Sequence, residues 1–287
     1  MTIAIGFKVD DGVLLCADTQ YMSNSKVYDP KVFTLPAEAP RGASFAFALA
    51  GHEENARMAI EDCIQAIREC PENKRTLTQI KTLLRRAIRG IWDAYVRTSS
   101  DPQNDDSTRF ELIIGAWLPL SGGLLLFRSS TGGLVSGDKY CCVGTGAYLA
   151  EYVMRPLFIE RLSLYDVVIM ATHTLASTKN YDANCGGYSL FARILPDGSV
   201  SRVGEYEVQN LEAFINRYEP LMGGMFLAAA NQQLSEEVFE RYVAVFTTAI
   251  KDLRKSWLSG DNPLQQLTLL EKLAYAMKPL DRTMGNT

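Results

Sequence analysis

The first eighteen residues constrain the fold of this chain more than any other stretch. Two mainly apolar runs, residues 2–9 and 13–17, flank an Asp-Asp-Gly sequence at residues 10–12. Asp-Gly between apolar runs strongly indicates a β-hairpin. Because the second run is continuously apolar, we expect it to be a buried strand that ends at Asp18. The chain is therefore expected to build a sheet beside its own N-terminus.

Thr2 places a hydroxyl group one peptide bond from the start of the sequence. Met1 precedes a small side chain, the situation in which the initiator methionine is normally removed, and its removal would give Thr2 a free α-amino group. A threonine hydroxyl is too weak an acid to attack an amide unaided, but an amine that titrates near ~8 in the same residue can serve as its base. We therefore predict Thr2 as a nucleophile that needs no histidine.

Asp18 follows a run that should be buried, and a buried carboxylate needs a partner. Lys31 is the natural candidate. It lies within residues 21–42, which are rich in Ser, Asn, Asp and Pro and predict a long loop that returns toward Thr2. Lys26 is the alternative lysine. An ammonium group paired with Asp18 would lower the proton affinity of the hydroxyl and the amine of Thr2.

The rest of the chain alternates runs of strands with pairs of helices. Two stacked antiparallel sheets with a helical layer on each outer side are the arrangement that this order predicts. The spacing of Ser163 and Asp166 also predicts a capping box. The expected elements are a strand at 44–50, helices at 52–70 and 76–98, strands at 109–118, 123–129, 133–136 and 139–143, helices at 146–160 and 163–179, and strands at 188–195 and 199–205.

The pattern becomes helical from about residue 206, with a helix start at Ser235 and a break at residues 260–263. We therefore predict a domain over residues 1–205 and a helical C-terminal extension over residues 206–287. The apolar faces of that extension have no place inside a layered core. We expect the extension to lie outside the core and to contribute to a subunit interface.

Charge and cysteine usage exclude several functions. The 287 residues contain 29 Lys and Arg against 33 Asp and Glu, with no basic stripe that could bind nucleic acid. No apolar stretch approaches the ~20 residues of a membrane span, and no signal peptide begins the chain, so a cytoplasmic protein is expected. Six cysteines without CxxC spacing and two histidines predict neither a zinc site nor a disulfide framework. No metal or other cofactor is expected.

Several short segments, in this order, resemble the catalytic half of a proteasome β-subunit, a member of the N-terminal-nucleophile hydrolase superfamily. The resemblance covers about residues 2 to 205. It rests on Thr2, Gly-Val-Leu-Leu-Cys-Ala-Asp-Thr at 12–19, Lys-Val-Phe at 31–33, Ala-Gly at 50–51, Val-Gly-Thr-Gly at 143–146, and Tyr-Asp-Ala-Asn-Cys-Gly-Gly at 181–187.

This resemblance implies an α+β fold, the four-layer αββα sandwich, with the C-terminal helical extension as an addition. It implies that the backbone N–H of Gly51 holds the oxyanion of a tetrahedral intermediate. Thr145, Asp182 and Cys185 match positions that form a hydrogen-bonded network around the nucleophile. Cys185 stands where the family usually has serine, and a thiol is a weak donor. A part in the network and a place as a small buried thiol both stay open for it.

The activity that the resemblance implies is that of a threonine endopeptidase acting on polypeptides. Proteasome β, HslV-type and Anbu-type subunits form assemblies that enclose their active sites, which implies a homo-oligomeric ring and a partner unfoldase ATPase. Leu49 and Phe33 could line an apolar specificity pocket. Two alternatives stay open: an amidohydrolase of a small amide, and a structural ring subunit without activity. The presence of Thr2, Asp18 and Lys31 favours an active enzyme.

Overall fold

The computed structural model describes residues 2–22, 26–37, 42–99, 107–137, 139–159 and 161–259, without the side chains of residues 22, 26 and 256–259. The chain forms two compact units, Met1–Gln209 and Asn210–Thr287. The domain division that we predict after residue 205 stays a prediction.

Strands make up most of the first unit. They are β1 (Ala4–Val9), β2 (Gly12–Asp18), β3 (Gln20–Met22), β4 (Lys26–Tyr28), β5 (Val32–Leu35), β6 (Ser44–Gly51), β7 (Phe110–Leu118), β8 (Gly123–Ser130), β9 (Gly133–Ser136), β10 (Tyr140–Val143), β11 (Ser189–Ile194) and β12 (Val200–Arg202). The helices of the chain are α1 (Glu53–Glu69), α2 (Leu77–Ile91), α3 (Ala147–Met154), α4 (Leu164–Tyr181), α5 (Glu205–Ala230) and α6 (Glu236–Ser259).

Two five-stranded sheets form the centre of this unit, in the orders β10-β1-β2-β11-β12 and β5-β6-β7-β8-β9. Every strand pair in them is antiparallel. β1 and β2 form the predicted hairpin, with Ala4 opposite Ala17 and Phe7 opposite Leu14. Every residue of β2 is buried, because β2 has strands on both sides and covered faces. Its register places the end of β2 beside the N-terminus.

Apolar clusters lie on both faces of the second sheet. The cluster between the sheets includes Leu15, Ala48 and Ile113. A second cluster joins strands β6, β7 and β8 to α1 and α2 and includes Phe47 and Leu84. On the other side of the molecule, α4 packs on β1 and β2, and α3 packs on α4. The predicted four-layer αββα sandwich is therefore confirmed.

The region predicted as one loop, residues 21–42, differs from expectation because it contains three short strands. β3 and β4 form a small hairpin, and β5 pairs with β6, with Val32 opposite Ala48. The polar composition of this region hides these strands, since each spans only three or four residues. Lys31 directly precedes β5, and the carbonyl of Gln20 in β3 accepts a hydrogen bond from its Nζ.

Two helix ends also differ from the prediction. α2 ends at Ile91 and continues as a π-helical turn at Trp92–Val96, so the helix predicted to reach residue 98 is wrong in its last turns. α3 ends at Met154 instead of residue 160. Pro156 has no N–H to continue the helical hydrogen bonds there. The predicted capping box of Ser163 and Asp166 is confirmed at the start of α4.

In the part of the second unit that the structure describes, the chain forms α5 from Asn210 onward and all of α6. Leu221, Ala249 and Leu253 form a small apolar cluster between these helices. The predicted helix start is confirmed, since α6 begins at Glu236 and Ser235 Oγ accepts a hydrogen bond from Val238 N at 3.4 Å. The predicted break at residues 260–263 lies outside the described residues. Among the described helices, none is long and apolar enough to cross a membrane.

Candidate active site

The β1–β2 hairpin brings Thr2 against Asp18. The Asp18 N–H donates to Ile3 O at 3.3 Å, and the Ile3 N–H donates to Asp18 Oδ1 at 3.2 Å. The Thr2 hydroxyl donates to the same oxygen, Asp18 Oδ1. Thr2 and Asp18 are both fully buried. Met1, whose removal we predict, lies outside the described residues.

Lys31 joins this pair from the second sheet. Its carbonyl accepts a hydrogen bond from Leu49 N at 3.0 Å, which fixes its backbone beside β6. Its Nζ donates to Asp18 Oδ1 at 2.8 Å, and also to Thr2 Oγ1 and to the carbonyl of Gln20. The side chains of Lys31 and Asp18 are both fully buried. The predicted ion pair is therefore present and reaches the Thr2 hydroxyl. The side chain of Lys26 lies outside the described residues.

Two features of the surroundings of Lys31 shift the pKa of its ammonium group in opposite directions. Burial lowers the pKa of Lys31 below its ordinary value, and the Asp18 carboxylate opposes that shift. Burying a charge without a partner costs free energy. Lys31 and Asp18 therefore each offset the cost of burying the other. The ammonium group that donates to Thr2 Oγ1 favours the ionised form of that oxygen.

The loop after α4 supports Asp18 from the opposite side. Gly186 N donates to Asp18 Oδ2 at 2.9 Å. Asp182 shapes this loop, because its carbonyl accepts from Cys185 N at 3.0 Å and its Oδ1 accepts from Asn184 N at 2.9 Å. The Cys185 thiol lies 3.7 Å from Asp182 Oδ2. Asp182 and Cys185 therefore stabilise the conformation of this loop. The N–H of Gly186 is the group of the loop that donates a hydrogen bond to Asp18.

Cys185 is buried behind the loop that precedes α3. A Cβ built on Gly146 would come within 2.7 Å of the Cys185 sulfur. Burial raises the pKa of the Cys185 thiol, and the nearby charges of Asp18 and Asp182 raise it further. The thiol therefore stays protonated at neutral pH.

The Gly144-Thr145-Gly146 loop follows the backbone of Thr2. Gly146 N donates to Thr2 O at 3.4 Å. Gly144 has a φ of 91°, and a Cβ there would lie 2.2 Å from Thr2 O, so a larger residue does not fit. Thr145 is exposed and lines the same cavity as Thr2.

Gly51 ends β6 at the edge of that cavity. Its φ is 91°, and a Cβ there would lie 2.4 Å from the carbonyl oxygen of Arg109. The next residue, His52, caps α1 by accepting a hydrogen bond from Asn55 N at 3.3 Å. His52 is therefore the N-terminal cap of α1.

A cavity of about 700 Å³ opens beside Thr2. Its lining includes charged side chains, among them Glu53, Glu111 and Arg109. Leu49 and Phe33 are not among its lining residues. Leu49 is fully buried in the cluster between the second sheet and α1 and α2, against which Phe33 also packs. The expectation that Leu49 and Phe33 line a specificity pocket is therefore not met at this cavity.

Sequence reasoning missed three contributors: the carbonyl of Gln20, the N–H of Gly186 and the side chain of Tyr21. Two of them are backbone groups, which carry no residue-type pattern. Tyr21 lies three residues after Asp18, and its ring centroid is 4.4 Å from Lys31 Nζ. In the described part of the chain, no group of three or more His, Cys, Asp or Glu side chains is arranged to hold a metal ion.

Comparisons with known proteins support the fold described above and identify the family of the chain. The model of the proteasome subunit family matches residues 2–190. A comparison with curated proteins gives no match.

Among solved structures, the helical assembly of the Anbu complex from Pseudomonas aeruginosa has 15% identity and a TM-score of 0.66, covering 81% of this chain and 98% of that one. Anbu (ancestral beta-subunit) from Yersinia bercovieri has 13% identity and a TM-score of 0.65, with coverage of 81% and 98%. The Anbu (Gly-1) mutant from Hyphomicrobium sp. strain MC1 has 14% identity and a TM-score of 0.64, with coverage of 82% and 100%. At these identities the likeness shows the fold alone. With two thirds of its length matched by the family model, the chain belongs to the proteasome subunit family.

Proposed function

We propose that the chain is a threonine-type endopeptidase whose nucleophile is Thr2, exposed by removal of Met1. One observation carries the proposal: Thr2 Oγ1, Asp18 Oδ1 and Lys31 Nζ contact one another in a buried cluster beside an open cavity. A surface lysine or a turn-capping aspartate has no reason to be buried in this way, because burying a charge costs free energy unless a function or a partner offsets it.

The reaction begins with attack of Thr2 Oγ1 on the scissile carbonyl carbon. The α-amino group of Thr2 takes the hydroxyl proton, and the Lys31 ammonium group stabilises the developing alkoxide. The N–H of Gly51 donates to the oxyanion. When the C–N bond breaks, the proton on the α-amino group passes to the leaving amine, and the acyl group remains as an ester on Thr2. The α-amino group then deprotonates a water molecule, which hydrolyses the ester and restores Thr2.

The remaining residues position these groups. Asp182 and Cys185 hold the loop that supplies the Gly186 N–H to Asp18, and Gly146 holds the Thr2 carbonyl. Thr145 lines the cavity. Because it directly precedes Gly146 in the chain, we propose that the position of Thr145 is coupled to that of Gly146. We propose that these residues act through Asp18 and Thr2 and do not exchange protons with the substrate.

We further propose that this chain works as a homo-oligomer that encloses its active sites. The Anbu chain from P. aeruginosa was solved as a helical assembly. The present chain exposes large apolar side chains, including Phe226 and Leu227, which favours an assembly that covers them. Enclosed sites would need unfolded polypeptide from a partner unfoldase. The six free buried cysteines are compatible with a cytoplasmic location, which we also propose.

Hydrolysis of a set of fluorogenic peptides tests the proposed activity. The wild-type protein should cleave at least one of them, whereas Thr2→Ala should lose cleavage while retaining its fold by circular dichroism. Thr2→Ser is the matched control, because it keeps a hydroxyl and an α-amino group and should retain activity. Equal turnover by Thr2→Ala and the wild type would move the chemistry to another residue.

A further inference from the structure

The Tyr21 side chain has a buried hydroxyl that the fold does not satisfy. Tyr21 is 7% exposed and lines the cavity beside Thr2. Within the described ranges, its hydroxyl has no hydrogen-bond partner. A buried hydroxyl without a partner is costly, and such groups in native proteins usually bind water or a ligand. Because Tyr21 lines the cavity, a group bound there is a candidate partner for this hydroxyl.

The charges around this hydroxyl are mainly negative. Glu53 lines the cavity and accepts a hydrogen bond from Arg57 Nε at 2.8 Å. The same guanidinium group donates to Asp29 Oδ2 at 2.9 Å. One cation therefore serves two carboxylates, which leaves a net negative charge. Burial raises the pKa of Tyr21, and the charge of Glu53 raises it further, so the hydroxyl keeps its proton and its oxygen is an acceptor.

Two more carboxylates lie on the cavity wall. Glu54 is exposed, and Glu111 accepts a hydrogen bond from Gly144 N at 3.0 Å, which does not neutralise its charge. Arg109 is the opposing cation on this wall. Among the residues that the structure describes, the three carboxylates of Glu53, Glu54 and Glu111 and one guanidinium group therefore line the cavity. Such a wall attracts a cationic group and repels an anionic one.

We propose that this cavity binds a basic side chain, of lysine or arginine, next to the scissile bond of the substrate. The inference rests on the proposed peptidase function for its substrate class. The cationic group donates a hydrogen bond to the Tyr21 hydroxyl oxygen and lies among the carboxylates of Glu53 and Glu111. The volume of about 700 Å³ is large enough for a long side chain.

Binding can be measured without turnover, in the full-length Thr2→Ala protein. The probes are N-acetylated tripeptide amides that differ only in one residue, lysine or the uncharged norleucine, and the method is titration calorimetry. We expect the lysine peptide to bind about tenfold more tightly, the size of one hydrogen bond to a charged group in a partly exposed site. Adding Tyr21→Phe or Glu53→Gln should each reduce this ratio severalfold.

Glu61→Gln is the matched control, because Glu61 is an exposed glutamate of the same helix that does not line the cavity. It removes the same charge from the protein and should leave the ratio unchanged. Tyr21→Phe keeps the ring beside Lys31, so its fold should be preserved. Equal binding of the two peptides, or tighter binding of the norleucine peptide, would overturn the inference.

Turnover by the wild-type protein separates this inference from the proposed function. Hydrolysis of lysine and leucine peptides at equal kcat/KM would overturn the basic subsite and leave the peptidase proposal standing. A lysine preference in binding, together with no hydrolysis of any peptide, would support the subsite and count against the peptidase proposal.

Discussion

Single buried groups at the N-terminus determine the chemistry of this molecule. Lys31 Nζ contacts three oxygen atoms, those of Thr2, Asp18 and Gln20, and none of these residues is exposed by more than a few per cent. The carboxylate of Asp18 accepts hydrogen bonds from Thr2, Ile3 and Lys31, and from Gly186 in the loop after α4. Because Thr2, Asp18 and Lys31 contact one another directly, we expect substitutions of these residues to have non-additive effects on activity.

Removal of either charge of the buried pair should cost nearly as much activity as removal of both. We expect Asp18→Asn and Lys31→Ala each to lower kcat/KM by about 10³-fold, because each leaves the other group without its partner beside Thr2. The double variant should fall little further. Steady-state kinetics on one peptide substrate provides the comparison. Strictly multiplicative losses would show that the two residues act independently.

The lowered pKa of Lys31 predicts the alkaline side of the pH profile. Activity should rise as the α-amino group of Thr2 loses its proton, near or below ~8 because a cation lies close to it. Activity should then fall as Lys31 loses its own proton. Since burial lowers the pKa of Lys31 below 10.5, this decline should begin below pH 10.5. A plateau of kcat/KM that extends beyond that pH would contradict the role of the ammonium group.

The Lys26 alternative has its own test. Lys26→Ala should leave kcat/KM within a few fold of the wild type, because Lys31 already occupies the site between Thr2 and Asp18. Kinetics of Lys26→Ala and Lys31→Ala on the same peptide compares them directly. A dispensable Lys31 and an essential Lys26 would show that the wrong lysine has been assigned.

At the scale of elements, strand ends and tight loops deliver the catalytic groups. β2 ends at Asp18, β6 ends at Gly51, and Lys31 directly precedes β5. The backbone at Gly51 has a positive φ and lies against the carbonyl of Arg109, so this turn depends on the absence of a side chain.

Gly51→Ala should therefore destabilise the protein by more than about 1 kcal/mol and abolish hydrolysis, because the new Cβ would collide with backbone. Gly90→Ala is the control. Gly90 lies in α2 with open space around it, and the same change there should stabilise by about 0.5–1 kcal/mol. Thermal unfolding measures both. A Gly51→Ala protein with unchanged stability and turnover would exclude a special backbone position at Gly51.

The elements also explain what could be predicted from the sequence. The β1–β2 hairpin and β6 are evident because their apolar runs are long and their turns contain glycine. The strands β3, β4 and β5 were missed because each is too short to show a period among polar residues. The Thr2, Asp18 and Lys31 contacts follow the family motifs, whereas the Gly186 N–H and the Tyr21 hydroxyl depend on how distant segments meet. Such contacts have no local sequence pattern.

At the scale of the whole molecule, the second unit is the part that departs from the sandwich. α5 and α6 contact each other through a small apolar cluster, yet Phe226 and Leu227 are 71% and 68% exposed. Adjacent exposed side chains of this size favour aggregation unless another surface covers them. We therefore expect this unit to contribute to an interface between copies of the chain.

Phe226→Asp combined with Leu227→Asp should reduce the mass of the assembly measured by light scattering. The physical reason is that two buried charges without partners would cost several kcal/mol at the interface. Gln232→Asp combined with Gln233→Asp adds the same charge at exposed polar positions of the same unit and should leave the mass unchanged. An unchanged mass of the assembly after replacement of Phe226 and Leu227 would show that these two residues do not contribute to the interface.

The most direct test of the central claim is the site of covalent trapping by a peptide epoxyketone. The two electrophilic carbon atoms of this probe can close a ring with a hydroxyl and an α-amino group of one residue, so the product reports both groups of Thr2 together. We predict one adduct per chain, located by tandem mass spectrometry on Thr2 of molecules that lack Met1, with loss of hydrolysis in proportion to labelling. An adduct on another residue, or full hydrolytic activity in protein that retains Met1, would contradict the account.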